Sequence, residues 1–238
     1  MPFGPDIDDV RFPDAVMALA DDPDLLAQHA LAAGRGVRWR WTQDTPVTSK
    51  APFQDLLHPE AALLEAAPDS PLGWSEYAVG VDGTFVCWRK RLLNSLEVAV
   101  EGARFPWRDG VVEVERHNDG TYGVAFEQLE ENRVVGWWEI GPDRAQITAE
   151  RYEYREGHPV GSDSWLWSRN PLLDFSAEEL EAAGPAASAA VARLQTLPRW
   201  VCQEGLPLRA EYDGDRISRI VRDGDGKLIW SQETGPID

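Results

Sequence analysis

The chain has 238 residues, 43% hydrophobic and 27% charged, with a formal net charge of -18. That length buries a sizeable core as one large domain or two small ones, and that charge repels phosphate backbones, which argues against direct binding of nucleic acid or of an anionic membrane. The acidic excess is spread along the chain, with 12 acids against 5 bases in residues 1–73, 17 against 10 in 74–168 and 12 against 8 in 169–238, so no acidic tail carries it. It reads either as solubility, with only Lys50, Lys90 and Lys227 beside many arginines, or as a surface that attracts a basic partner.

The start, Met1-Pro2-Phe3-Gly4-Pro5-Asp6, has neither a basic n-region nor an apolar h-region, and no window of about 18 apolar residues occurs. A cytoplasmic protein is expected. After an irregular lead-in over 1–12, Pro13–Ala20 predicts a short helix, and Asp22-Pro23 opens a second with an Asp N-cap and Pro at the first helical position. Leu25, Leu26, His29 and Leu31 make its apolar stripe, with Gly34 as the C′ residue. His29 on that stripe is expected to be a satisfied core histidine rather than a ligand. Residues 36–42 alternate as a strand, Val37, Trp39 and Trp41 inward and Arg38, Arg40 and Thr42 outward. Phe53–Leu57 and, after Pro59, Glu60–Ala67 predict two more helical stretches. Residues 1–73 therefore supply a helical cover and one strand.

From 74 to 168 short alternating runs are separated by Asp82-Gly83, Asp109-Gly110, Asp119-Gly120 and Gly141-Pro142. Asp-Gly is a strong hairpin signal because both central residues of a type I′ turn need positive φ. The pattern predicts a β-meander with strands at 76–81, 84–91, 95–101, 111–117, 121–129, 133–140, 147–155 and 160–168. Leu96, Val98, Val100, Val112 and Val114 point inward, and Tyr122, Val124 and Phe126 share an apolar face. Trp137 and Trp138, adjacent on one strand, must face opposite ways.

Over 169–198 the period changes. Ser176-Ala177-Glu178-Glu179 is a capping-box signature, Gly184-Pro185 breaks that helix, and Ala186–Leu197 predicts an Ala-rich one. Residues 199–238 return to strands at 199–203, 208–212, 216–222 and 227–231, which are expected to join the central sheet. With no convincing linker, the expectation is one domain over 1–238. Its class is α+β: a large curved antiparallel β-meander sheet, in one version a half-barrel, partly covered by short helices.

The segment from Glu211-Tyr212-Asp213-Gly214 through Arg216-Ile217 to Asp225-Gly226 resembles one unit of the YD repeat of Rhs-type bacterial proteins. Arg151-Tyr152-Glu153-Tyr154-Arg155-Glu156-Gly157 is a poorer echo, with Arg155 where the Asp belongs. The resemblance is confined to residues 211–226 and implies a strand-turn-strand geometry, not an activity.

Two constellations carry candidate chemistry. Glu113, Glu115 and His117, spaced by two on one strand, lie roughly 6–7 Å apart on one face and suit a carboxylate/imidazole site for a metal or for acid–base work. The alternative is a solvated face opposite Val112 and Val114, with Arg151 and Arg155 as cross-strand salt partners. Trp165 and Trp167, Tyr152 and Tyr154, and one of Trp137 and Trp138 suit an aromatic platform on one sheet face, or else form the core beneath the helices. Cys87 and Cys202 are the only cysteines, read as buried thiols with a disulfide left open. Asp223-Gly224-Asp225-Gly226 lacks the Glu of a calcium loop, since Thr occupies 234. Gly161-Ser162-Asp163-Ser164 lacks the second Gly of a nucleophile elbow. No metal or cofactor is expected.

The leading functional expectation is a non-enzymatic acidic binding protein that docks a protein partner, of basic character, through its sheet, in an immunity- or antitoxin-like role. The alternative is a small-molecule carrier or enzyme with an aromatic-lined half-barrel cavity, which requires that the aromatic rows not be packed solid under the helices.

Overall fold

A computed structural model describes residues 7, 9, 11–32, 38–43, 51–57, 62–80, 85–170, 177–182, 184, 186, 189, 192 and 198–236. The elements begin with α1 (Phe12–Ala20), α2 (Pro23–Ala32), β1 (Arg38–Thr42), α3 (Gln54–Leu57), β2 (Ser75–Val79) and β3 (Phe85–Arg91). The meander continues with β4 (Val98–Trp107), β5 (Gly110–His117), β6 (Tyr122–Glu130), β7 (Arg133–Ile140), β8 (Gln146–Arg155) and β9 (His158–Arg169). After α4 (Ala177–Ala182) come β10 (Trp200–Glu204), β11 (Leu208–Asp213), β12 (Arg216–Arg222), β13 (Leu228–Ser231) and β14 (Gly235–Pro236).

The strands form one antiparallel sheet. Its path follows the chain from β1 to β9 and on through β11 to β14 without closing into a barrel, while β10 stands off the path and pairs with β9. The described structure is thus mostly sheet, and its helices are short. None of them is long and apolar enough to cross a membrane.

Chain-order pairing follows from tight turns. Gly120 takes φ +86 in the Asp119-Gly120 turn, and the connection between β6 and β7 uses Glu131 and Asn132 at φ +49 and +63, the left-handed pair a type I′ turn requires. At Asp109-Gly110 the loop lies one residue earlier than expected, with Arg108 at φ +56 and Gly110 already in β5. Only glycine fits there: a Cβ would stand 2.2 Å from the Glu127 carbonyl oxygen and 2.5 Å from Phe126 Cζ. Asp82-Gly83, Val37, Gly34 and most of the Ala186–Leu197 helix fall outside the described residues.

The register assigns the faces. Val112 pairs with Phe126, Phe126 with Trp138, Trp138 with Ala149 and Ala149 with Trp165. These side chains share one face, and α1 and α2 cover it: Phe12, Val16, Leu19 and Leu25 pack there with Val112, Val114, Val124, Phe126, Trp138, Ile140, Ile147 and Trp167. Phe126 stacks on Trp138 at 5.6 Å, and Phe12 meets Trp167 at 4.6 Å. Each such side chain, removed from water, contributes about 1.5–3 kcal/mol. On the opposite face Phe53, Val134, Tyr152, Ala210 and Ile220 form a second cluster, and α3 rests on β13 and β14.

Several expectations are corrected. Residues 62–67 are not helical: Trp41 and Leu64 exchange backbone hydrogen bonds of 2.9 and 2.8 Å, so this segment shields the outer edge of β1, with Arg40 bridging to Glu65 at 2.5 Å. The inward/outward split of β1 also fails, since Thr42 is buried and Arg89 and Arg91 stack over Trp39 and Trp41. Leu31 is exposed, and Leu96 is exposed in the turn before β4, where Ser95 Oγ accepts the Glu97 N–H. β4 then runs on through Gly102 to Trp107. Pro106 is tolerated there because β3 pairs with β4 only as far as Ala103, so the missing N–H costs no ladder bond. Cys87 is buried and Cys202 exposed, and no disulfide joins them.

His29 is a core histidine. Its ring stands edge-on to Tyr122 and Nε2 donates to the Glu101 carbonyl at 3.3 Å. Burial holds its pKa below the ordinary 6.5, aided by the charge of Arg116 and opposed by the carbonyl and charge of Glu101. The unfolded chain therefore takes up a proton at a pH where the folded chain does not, and stability falls as pH drops below about 6.5. Urea midpoints between about pH 7.5 and about pH 5 should decline more steeply for the wild type than for His29→Phe. Equal slopes would remove His29 from this account.

Candidate functional site

β5 presents Glu113, Glu115 and His117 opposite Val112 and Val114, as the alternation requires. They do not converge on a shared centre. Glu115 Oε1 accepts the Trp88 indole N–H at 3.0 Å and a Lys90 Nζ hydrogen at 2.5 Å. Trp88 reaches across because Gly102, paired with both Trp88 and Glu115, leaves the sheet bare: the indole lies on the glycine, where a Cβ would be 1.8 Å from Cε2. Tyr77 stacks on Trp88 at 6.3 Å, and burial, with the charges of Glu115 and Glu113, pushes its phenol well above the usual range.

Glu113 lies 3.8 Å from Arg104, whose guanidinium also bonds Glu127. This group is nearly dry, the Arg104 and Glu127 side chains being 7% and 3% exposed. His117 stands apart, at a rim formed with Ala99, Glu101 and Asn118. Among the described residues no group of three or more His, Cys, Asp and Glu is arranged to hold a metal. The expected salt partners are corrected: Glu113 and Glu115 are half-buried, and their cations are Arg104 and Lys90 from β4 and β3. Arg151 instead bridges Asp163 at 3.3 Å and covers Trp165, and Arg155 pairs in register with His158.

The aromatic residues do not make one platform. Trp138, Trp165 and Trp167 belong to the face under α1, whereas Trp137, Tyr152 and Tyr154 lie on the other. A β-bulge causes the split. Arg155 pairs with His158 and Tyr154 with Pro159, but Glu153 pairs with Gly161, so Val160 is an extra residue on β9. One residue of slip exchanges the faces of everything beyond it, sending Trp165 and Trp167 away from the tyrosines. Tyr152 is buried beside Phe53, and its hydroxyl donates to Glu150 at 2.5 Å. Burial pushes the Glu150 carboxyl up against the opposing effect of that bond. Tyr154 donates to the Val134 carbonyl at 2.8 Å.

Beside the Arg104–Glu127 pair lies a cavity of about 550 Å³. Its walls are Phe85 and Val86 of β3, Phe105 and Pro106 of β4, Val111 of β5, Leu129 of β6, Val134 of β7 and Tyr154 of β8. Arg104, Glu127, Asn132 and Arg133 supply its polar groups, and Arg133 lies over the Tyr154 ring at 5.9 Å. Of the residues singled out from the sequence, only Tyr154 lines it. Comparisons of the chain with family models, with curated proteins and with solved structures give no match.

Proposed function

We propose that the chain is a binding protein whose cavity takes a small, mainly apolar and uncharged molecule. The observation that carries this is the make-up of the cavity: apolar walls from six successive strands around one nearly dry, charge-balanced Arg104–Glu127 pair. Pockets of roughly 300–1,000 Å³ with apolar walls and a few fixed polar groups are the common form of small-molecule sites. Laid flat, β3 and β8 would be about 24 Å apart; their joint presence around one cavity supports a sheet curled as a half-barrel. The Arg104 guanidinium is already neutralised and Arg133, the other cation on the lining, is exposed to solvent and screened, so an anionic headgroup gains little from either, while a carbonyl or hydroxyl finds donors and acceptors. Nile red, a neutral apolar dye, should therefore brighten on titration with the protein and a fatty-acid anion should compete weakly. Val111→Trp, which fills the cavity from its floor, should abolish the brightening without lowering the melting temperature. Undiminished brightening in that variant would defeat the reading.

A second reading, docking of a basic protein partner, is favoured by a different feature. Leu72, Leu92, Leu93 and Leu96 are exposed around the turn after β3, Leu93 by 85%, on a chain of net charge -18. Exposed apolar residues grouped in this way mark contact surfaces.

A further inference from the structure

We infer that β10 is the pairing edge of a symmetric dimer, joining β10 of a second copy antiparallel about Cys202. Asn170 N–H donates to the Arg199 carbonyl and Gly205 N–H to the Ser164 carbonyl, at 2.9 and 2.8 Å, so odd-numbered residues from 199 to 205 turn their backbone groups to β9. Those of Trp200, Cys202 and Glu204 point the other way, to an edge that no described strand occupies. Both ends of the sheet path are shielded by familiar devices: β1 by the Leu64 segment and β14 by its two-residue length and Pro236. β10 has neither Pro nor Lys, and Val201 to Glu204 are exposed.

The occupant follows from the symmetry of the free groups. With Cys202 opposite Cys202 of the second copy, Trp200 falls opposite Glu204 and Glu204 opposite Trp200. All three outward residues then meet outward residues, giving about six backbone hydrogen bonds. The same register keeps Glu204 from facing its own copy, which avoids a like-charge pair. Two chains of net charge -18 repel, so the dimer strengthens as salt screens them.

Sedimentation of the full chain at concentrations on the order of 100 µM should show a concentration-dependent dimer, tighter at high salt. Cys202→Pro removes an N–H that points away from β9, so it should leave the monomer's unfolding midpoint unchanged while weakening the dimer at least about tenfold. Cys202→Ser should dimerise as the wild type does. Diamide, which removes two electrons and two protons from a pair of thiols, should join the two Cys202 sulfurs of the wild type, because paired residues about 5.5 Å apart at Cα are within disulfide reach. A wild type that stays monomeric at both salts, even if it captures an extended basic peptide on this edge, would overturn the dimer. So would a Cys202→Pro variant that dimerises undiminished.

Discussion

Arg104→Met should lower the unfolding free energy by about 3–5 kcal/mol in urea denaturation, the usual effect of removing one partner from a buried ion pair. Glu127 is then left nearly dry without its main cation, and Glu113 loses the same guanidinium. The pair itself adds little net stability, because burying two charges costs about what their attraction returns. Arg104→Met with Glu127→Leu should therefore recover most of the loss, and a double variant no more stable than the single would contradict this. The pair's place beside the cavity suits a role in fixing what binds there, since it holds polar groups in one orientation on an otherwise apolar wall.

Gly102→Ala should cost about 3 kcal/mol, at the upper end of ordinary overpacking. A Cβ at this position would lie 1.8, 2.1 and 2.2 Å from three atoms of the Trp88 indole, and Trp88, 1% exposed, has no room to withdraw. The indole also donates to Glu115, so displacing it strands a carboxylate that Lys90 alone must then hold. In a Trp88→Leu background, which is itself destabilised by the lost ring, Gly102→Ala should be nearly neutral. That coupling separates a clash with the ring from a backbone effect, which would persist when the ring is gone.

Strand identity was largely legible because period-two alternation and turn residues are local. β7 and β12 occupy the residues that the alternation marks, and Val112, Val114, Val124 and Phe126 are the core it requires. The opposition of Trp137 and Trp138 followed from the pleat alone. The site was much less legible. Arg104 sits between Gly102 and Pro106, two residues that read as breaks in a strand, and its worth depends on Glu127, 23 residues on, which only the β4–β5–β6 register brings near. An unbulged hairpin would set Tyr152 and Trp165 on one face, whether as platform or as core; the single extra residue at Val160 sends them apart. Glu60–Ala67 has good helix formers, yet pairing of Leu64 with Trp41 overrides that local preference.

The central claim is that the sheet face away from α1 and α2 holds an apolar ligand beside the Arg104–Glu127 pair. Methyl-resolved NMR of the protein titrated with Nile red tests it most directly. Saturable shifts are expected at the methyls of Val111, Leu129 and Val134, with Val16, Leu25 and Ile147 in the helix-covered core unmoved and the shifts lost in Val111→Trp. Shifts centred on that core or on the Leu92–Leu96 turn, or no saturable shift at all, would contradict it.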